Sequence, residues 1–218
     1  MDAFHRIGHG GASALAPGNT LAAFDAALEV GIDMVEFDVR RCGGALVLAH
    51  TLLDGRRRGI VTLEQALAHL ACSRFDGIEC NVDLKHTGCE NELLDGLRRH
   101  GLLARTLISS QVPAVLDGVR EREPHARLGV SVGGWLARMS RRAGDWRALV
   151  LAGLTSGRWG ALMAQHRLVD RALLADVGAR GGLLYAWTVN DRGGIERLRG
   201  LGVHGVVTTD PRLFSPGA

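Results

Sequence analysis

The chain has 218 residues, long enough for one domain with a sizeable core, and its 46% hydrophobic and 22% charged residues describe an ordinary globular protein. Its formal net charge is only +3, and its one basic triplet, Arg56-Arg57-Arg58, carries no interleaved aromatics, which argues against a nucleic-acid partner. There is no apolar run of about eighteen residues, no signal-peptide pattern, and no metal or redox spacing among Cys42, Cys72, Cys80 and Cys89. The expectation is a cytoplasmic protein with free thiols and no stable membrane insertion.

Phe4 to Gly8 reads as a short strand that delivers His9 at its carboxyl end. Asn19-Thr20 can cap a helix over Leu21 to Val30, apolar at Leu21, Phe24, Ala27 and Leu28 and ended by Gly31. In the strand Met34 to Arg40, Glu36 and Asp38 share a face, about 7 Å apart. Gly43-Gly44 turns the chain into Ala45 to Leu48, which delivers His50. Thr62 opens a second helix with Glu64 and Gln65 in its first turn. Gly77 to Lys85 is a strand that places Asn81, Asp83 and Lys85 on one face.

A helix over Glu90 to His100 stops at Gly101, and then come a strand (Thr106 to Ser109), a helix (Val112 to Glu123) and a strand (Arg127 to Val132). Between Gly133 and Gly160 the pattern weakens, and short helices are expected at Trp135 to Arg142 and Trp146 to Ala152. The series ends with a strand at Gly160 to Ala164, a helix at Asp170 to Ala179, a strand at Gly182 to Val189, a helix at Arg192 to Leu201 and a strand at Gly205 to Thr208.

Short apolar strands alternating with helices imply an α/β fold, a single-domain (β/α)₈ TIM barrel over residues 1–218. The rival, a doubly wound sheet, needs a glycine-rich fingerprint after the first strand, and none is present. In a barrel the site lies at the carboxyl ends of the strands, where His9, the Glu36/Asp38 pair, Asp83 and Lys85, Ser109-Ser110-Gln111, Gln165-His166, Trp187 to Asn190 and Thr208 to Asp210 all fall.

Two acids on one strand face repel, and burying them is costly without a cation between them. A hard divalent ion is the simplest partner. Histidine titrates near neutral pH, so His9 and His50, flanking the acidic strand, suit proton transfer. Lys85, the single lysine of the chain, is a compact ammonium suited to a phosphate oxygen or a carboxylate.

The segments His9-Gly10-Gly11-Ala12-Ser13, Pro17-Gly18-Asn19-Thr20, Glu36-Phe37-Asp38 and His50-Thr51 occur in this order with Asn81-Val82-Asp83-Leu84-Lys85, Ile108-Ser109-Ser110, Trp187-Thr188-Val189-Asn190 and Gly205 to Pro211. Together they resemble the glycerophosphodiester phosphodiesterase family over nearly the whole chain. That resemblance implies that Glu36, Asp38 and Asp83 bind magnesium or calcium. It further implies that His9 and His50 are the acid/base pair cleaving a small phosphodiester into a phosphomonoester and an alcohol. Lys85 would contact the phosphate or the metal ligands, Trp187 would wall the pocket, and Gln165 and Asn19 would join them as substrate contacts.

The chain departs from the family pattern at several points. Gly10 stands where an arginine grips the phosphate in the family; Arg40 and Arg41, just past the acidic strand, could supply that charge, but both read as surface residues. Gly18, Thr51 and Asp83 replace a glutamate, an aspartate and a glutamate, and the long insertion after the second histidine is absent. That absence is similar to the sphingomyelinase D/phospholipase D toxins, so a cyclising transfer is one alternative. A degenerate barrel that binds a phosphorylated ligand without turnover is another. No oligomeric state is implied.

Overall fold

The computed structural model describes residues 4–133 and 145–215. Its strands are β1 (His5–His9), β2 (Met34–Cys42), β3 (Ala45–Leu48), β4 (Glu79–Leu84), β5 (Thr106–Ser110), β6 (Arg127–Val132), β7 (Ala161–Gln165), β8 (Leu183–Trp187) and β9 (Gly205–Thr208). The helices are α1 (Leu21–Val30), α2 (Leu63–Leu70), α3 (Glu90–Arg99), α4 (Pro113–Arg122), α5 (Asp145–Thr155), α6 (Arg171–Gly178) and α7 (Arg192–Leu201). The helix expected over Trp135 to Arg142 lies outside the described residues.

Eight of the strands pair in parallel in the order β1-β9-β8-β7-β6-β5-β4-β2, and β1 also pairs with β2, which closes the barrel. β3 is the exception. It runs antiparallel along β2, pairing Val39 with Leu48 and Cys42 with Ala45, on the same edge of β2 that β1 occupies lower down. The hairpin therefore sits above β1 and brings His50 down toward the end of that strand.

Local chemistry sets the helix boundaries. Thr20 accepts the Ala23 N–H to start α1, and Gly31, at φ 85°, ends it in the left-handed conformation that glycine adopts most easily. Thr62 and Gln65 form a reciprocal capping box at the start of α2. Around the barrel, Phe37, Val82, Ile108, Leu128 and Leu184 face the helices in one continuous core. The opposite faces fill the lumen with a second, smaller cluster that includes Ile7, Met34, Leu107, Met163, Tyr185 and Val207.

The period-two alternation of β2 explains how a charged site rises from an apolar plug. Met34 points into the plug, and the same inward face continues to Glu36 and Asp38 toward the carboxyl end.

Candidate active site

Backbone register places the site. Asp38 lies opposite Asp83 and Glu36 opposite Asn81 across the β2–β4 ladder, while His9 lies opposite Glu36 across β1–β2. Two neighbouring strands, β2 and β4, thus bring one oxygen from each of Glu36, Asp38 and Asp83 to within 4.8 Å of one another. All three acids are buried.

Each acid is held by its own set of partners, and Asp38 and Asp83 share Lys85. Glu36 Oε2 accepts the Gly10 N–H at 3.0 Å. Asp38 Oδ2 accepts from Asn19 Nδ2 at 2.9 Å, and Asn19 Oδ1 in turn accepts the Asp38 N–H at 3.0 Å. The Nζ of Lys85 is 2.5 Å from both Asp38 Oδ1 and Asp83 Oδ2. Asp83 Oδ1 is buried with no hydrogen-bond partner among the described residues.

Two imidazoles flank this cluster. His9 Nε2 is 3.9 Å from Glu36 Oε2, and its Nδ1 is 3.4 Å from Thr188 Oγ1. His50 Nδ1 is 3.3 Å from Asp38 Oδ1.

The charge balance is uneven, with three carboxylates sharing one ammonium. Burial, added to by Asp38 and Asp83, raises Glu36 well above the usual carboxylate range. Burial also raises Asp83, with Lys85 opposing it in part. Asp38 shifts the other way: burial works against its charged form, but His50, Lys85 and Asn19 together hold it below the usual carboxylate range. Burial pushes His9 below its ordinary value, whereas the hydrogen bond to Asp38 raises His50.

A cavity of about 260 Å³ opens over the cluster. The acids, Lys85, His9 and His50 form one side, and Ser109, Gln111, Ser131, Trp187 and Thr188 stand around it. A second cleft of about 220 Å³ runs from His9 and His50 past Gly10 to Ser13, Gly18 and Asn19.

The donor set suits a hard divalent cation. It consists of carboxylate oxygens only, one of them unpartnered, in a cluster whose negative charge exceeds what Lys85 offsets. Magnesium or calcium at Glu36, Asp38 and Asp83 would fit these residues.

His9, Glu36, Asp38, His50, Asp83, Lys85 and Trp187 all line the one cavity. Asn19 commits both ends of its amide to Asp38, so it braces an acid and lines only the second cleft. Gln165 pairs in register with Trp187 at the end of β7 but is not among the cavity residues. Arg40 and Arg41 lie within β2, which runs on to Cys42. Arg41 is taken by Glu92 at 2.8 Å, while Arg40 forms no ion pair among the described residues.

Sequence reasoning did not single out Ser131 or the contact of Thr188 with His9. For Ser131 the signal was there: on the inward face of β6 it follows Gly129 by two, next to the strand's carboxyl end.

A sequence model of the Glycerophosphoryl diester phosphodiesterase family matches residues 9–51 and 46–213, two segments that overlap around His50. The chain is 25% identical to a glycerophosphodiester phosphodiesterase of Caldanaerobacter subterraneus, over 95% of each protein. Its fold is shared with the crystal structure of a glycerophosphoryl diester phosphodiesterase homologue from Silicibacter pomeroyi, with a TM-score of 0.82 at 20% identity over 97% of this chain and 92% of that one. It is also shared with a phosphodiesterase of Oleispira antarctica solved with its product sn-glycerol-3-phosphate, with a TM-score of 0.74 at 23% identity over 94% and 93%. Matched along almost its whole length, and with the family's signature residues gathered at one end of its barrel, the chain belongs to the Glycerophosphoryl diester phosphodiesterase family, a family of phosphoric diester hydrolases.

Proposed function

We propose that this protein is a metal-dependent phosphodiesterase that cleaves a glycerophosphodiester or similar small phosphodiester into a phosphomonoester and an alcohol, with His9 and His50 as its acid/base pair. One observation carries the reading: three acids from adjacent strands converge within 4.8 Å, with an imidazole on either side. The product held by the Oleispira antarctica relative supports a small phosphodiester as the substrate class.

Magnesium or calcium bound at Glu36, Asp38 and Asp83 would supply positive charge against the phosphoryl oxygens. The residues themselves do the rest. The Nδ1 atoms of the two imidazoles face Thr188 and Asp38, which orients each ring and leaves Nε2 to exchange the proton. Proton transfer of this kind contributes a factor of about 10² to 10⁴. Lys85 holds Asp38 and Asp83 in place.

The test combines metal titration with a phosphodiesterase assay of the parent, His9→Ala and His50→Ala. Saturable metal binding and activity down at least a hundredfold in each variant are expected; equal activity in the variants and the parent ends the reading. Phosphorus NMR of the product separates hydrolysis from cyclisation, because a persistent cyclic phosphate would assign the site to transfer.

A further inference from the structure

Where the family carries its long insertion, this chain has a short loop, and that loop holds apolar and basic side chains out in solvent. Five large apolar side chains stand exposed among the described residues: Leu15, Leu52, Leu53, Val112 and Leu149. Isolated exposed leucines are commonplace, and Leu149 on the outer helix α5 is one of these. The other four stand in loops at the carboxyl-end rim of the barrel. Leu15 lies in the β1–α1 loop, Leu52 and Leu53 in the loop leaving His50, and Val112 in the turn after Gln111. His50 and Gln111 line the catalytic cavity, and Ser13 of the β1–α1 loop faces His50 across the second cleft.

The leucine pair is displayed by a built turn. Thr51 donates its N–H and its hydroxyl to Asp54 Oδ2, at 3.1 and 2.6 Å, and accepts the Asp54 N–H at 3.1 Å. Gly55 packs so tightly on the β2–β3 hairpin that a Cβ there would lie 3.1 Å from the Cβ of Cys42. The turn is thus anchored while Leu52 and Leu53 remain 56% and 77% exposed. Directly after it come Arg56, Arg57 and Arg58, all exposed. Asp54 pairs with Arg57 at 2.9 Å, which leaves Arg56 and Arg58 with no acidic partner among the described residues.

We propose that this rim is a reversible docking surface for an anionic phospholipid membrane, which sets the catalytic cavity against phosphodiesters presented at the lipid surface. An anionic bilayer matches both features: an apolar layer takes the leucines while phosphate groups meet the two unpaired arginines. A soluble acidic protein would satisfy the charges and leave the leucines in water. The link to turnover rests on the function proposed above, whereas the docking does not.

The experiment is co-sedimentation with phosphatidylglycerol vesicles and with phosphatidylcholine vesicles. The parent is expected to bind the former and not the latter, with binding that weakens as salt shortens the screening length. Burying a leucine is worth about a factor of ten or more in partitioning, so Leu52→Ser with Leu53→Ser should lower binding at least tenfold. Arg56→Ala and Arg58→Ala should lower it by about fivefold each. Hydrolysis of a soluble phosphodiester should stay within twofold of the parent in all of these variants.

Failure of the parent to bind phosphatidylglycerol vesicles, or equal binding by the leucine variants, would overturn the proposal. So would light scattering that shows a parent dimer dissociating in the leucine variants, which would give the rim to a second copy of the chain. Vesicle binding by a parent that hydrolyses no phosphodiester would uphold the docking and sink the catalytic reading alone.

Discussion

At the amino-terminal end of the barrel, two acids each have an arginine of their own. Arg6 meets Asp33 at 2.7 Å, tying β1 to the start of β2, and Arg127 meets Glu79 at 2.8 Å, linking β6 to β4 past the intervening β5. At the carboxyl end, three buried acids share Lys85, and one acid oxygen has no partner among the described residues. The two ends belong to the same strands, so the fold does not demand the imbalance. In this architecture the first end secures the barrel, while the second stores unsatisfied charge that a cation and an anionic substrate can use.

Removing Lys85 tests the imbalance most severely. Lys85→Met leaves buried carboxylates facing one another without the ammonium, and breaking a buried pair in this way costs about 3–5 kcal/mol. The full loss should appear in chelator at mildly alkaline pH, read by chemical denaturation, and shrink as the acids take up protons. Added magnesium or calcium should restore more stability to this variant than to the parent. A variant as stable as the parent in chelator would mean that the carboxyl end carries no such excess of negative charge.

Glu36→Gln separates function from stability. It removes one ligand from the cluster and also one source of repulsion, Glu36 being an acid that burial, with Asp38 and Asp83, raises well above the ordinary range. Metal affinity should fall, and kcat/KM should drop about 10³-fold, equivalent to about 4 kcal/mol of transition-state stabilisation. Stability in chelator should hold or rise. Parallel losses of activity and of fold would show that Glu36 is a structural residue.

The bracing of Asp38 gives a smaller effect. Asn19 sits at φ 60°, so glycine keeps its backbone conformation while deleting both hydrogen bonds to Asp38. Asn19→Gly should weaken metal binding by about 10- to 100-fold, as loss of a residue that orients a ligand does, and thermal stability should change little. Titration calorimetry with magnesium or calcium reads it directly.

This gradation follows what the sequence shows and hides. The barrel was legible because buried parallel strands are apolar on both faces and the helices between them carry one apolar stripe: the strands Arg127–Val132 and Gly205–Thr208 and the helices Leu21–Val30 and Arg192–Leu201 have the limits read from pattern alone. Glu36 and Asp38 could be placed together because they stand two apart on one strand, whereas Asp83 joined them only through the family resemblance. Asn19 was harder. It looks like half of a helix cap beside Thr20, and only the fold reveals that Thr20 does the capping while Asn19 reaches a strand nineteen positions away. The pairing of Thr188 with His9 spans 179 positions, and no periodicity carries that distance. The exposure of Leu52 and Leu53 was equally hidden, since a leucine pair in sequence reads as core.

The amino-terminal end supplies the smallest effect and the control for the others. Asp33 accepts three hydrogen bonds from Arg6, one from its backbone N–H and two from its guanidinium. Burial pushes this carboxyl up, but those bonds outweigh it and hold Asp33 below the usual range. A depressed carboxylate stabilises the fold fully above its unfolded pKa of about 3.9 and ceases to do so as pH falls through its lower folded value. With the two side chains 40% and 32% exposed, solvent screening limits the contribution to about 1 kcal/mol. Asp33→Asn should therefore be less stable than the parent by a constant amount from pH 8 down to about 5, with the gap closing below about 4. Its phosphodiesterase activity and metal affinity should match the parent. Urea denaturation across that pH range checks the first claim, and a gap that widened with acid would reverse the sign argued for the pair. Loss of activity in a stable Asp33→Asn would break the contrast between the two ends of the barrel.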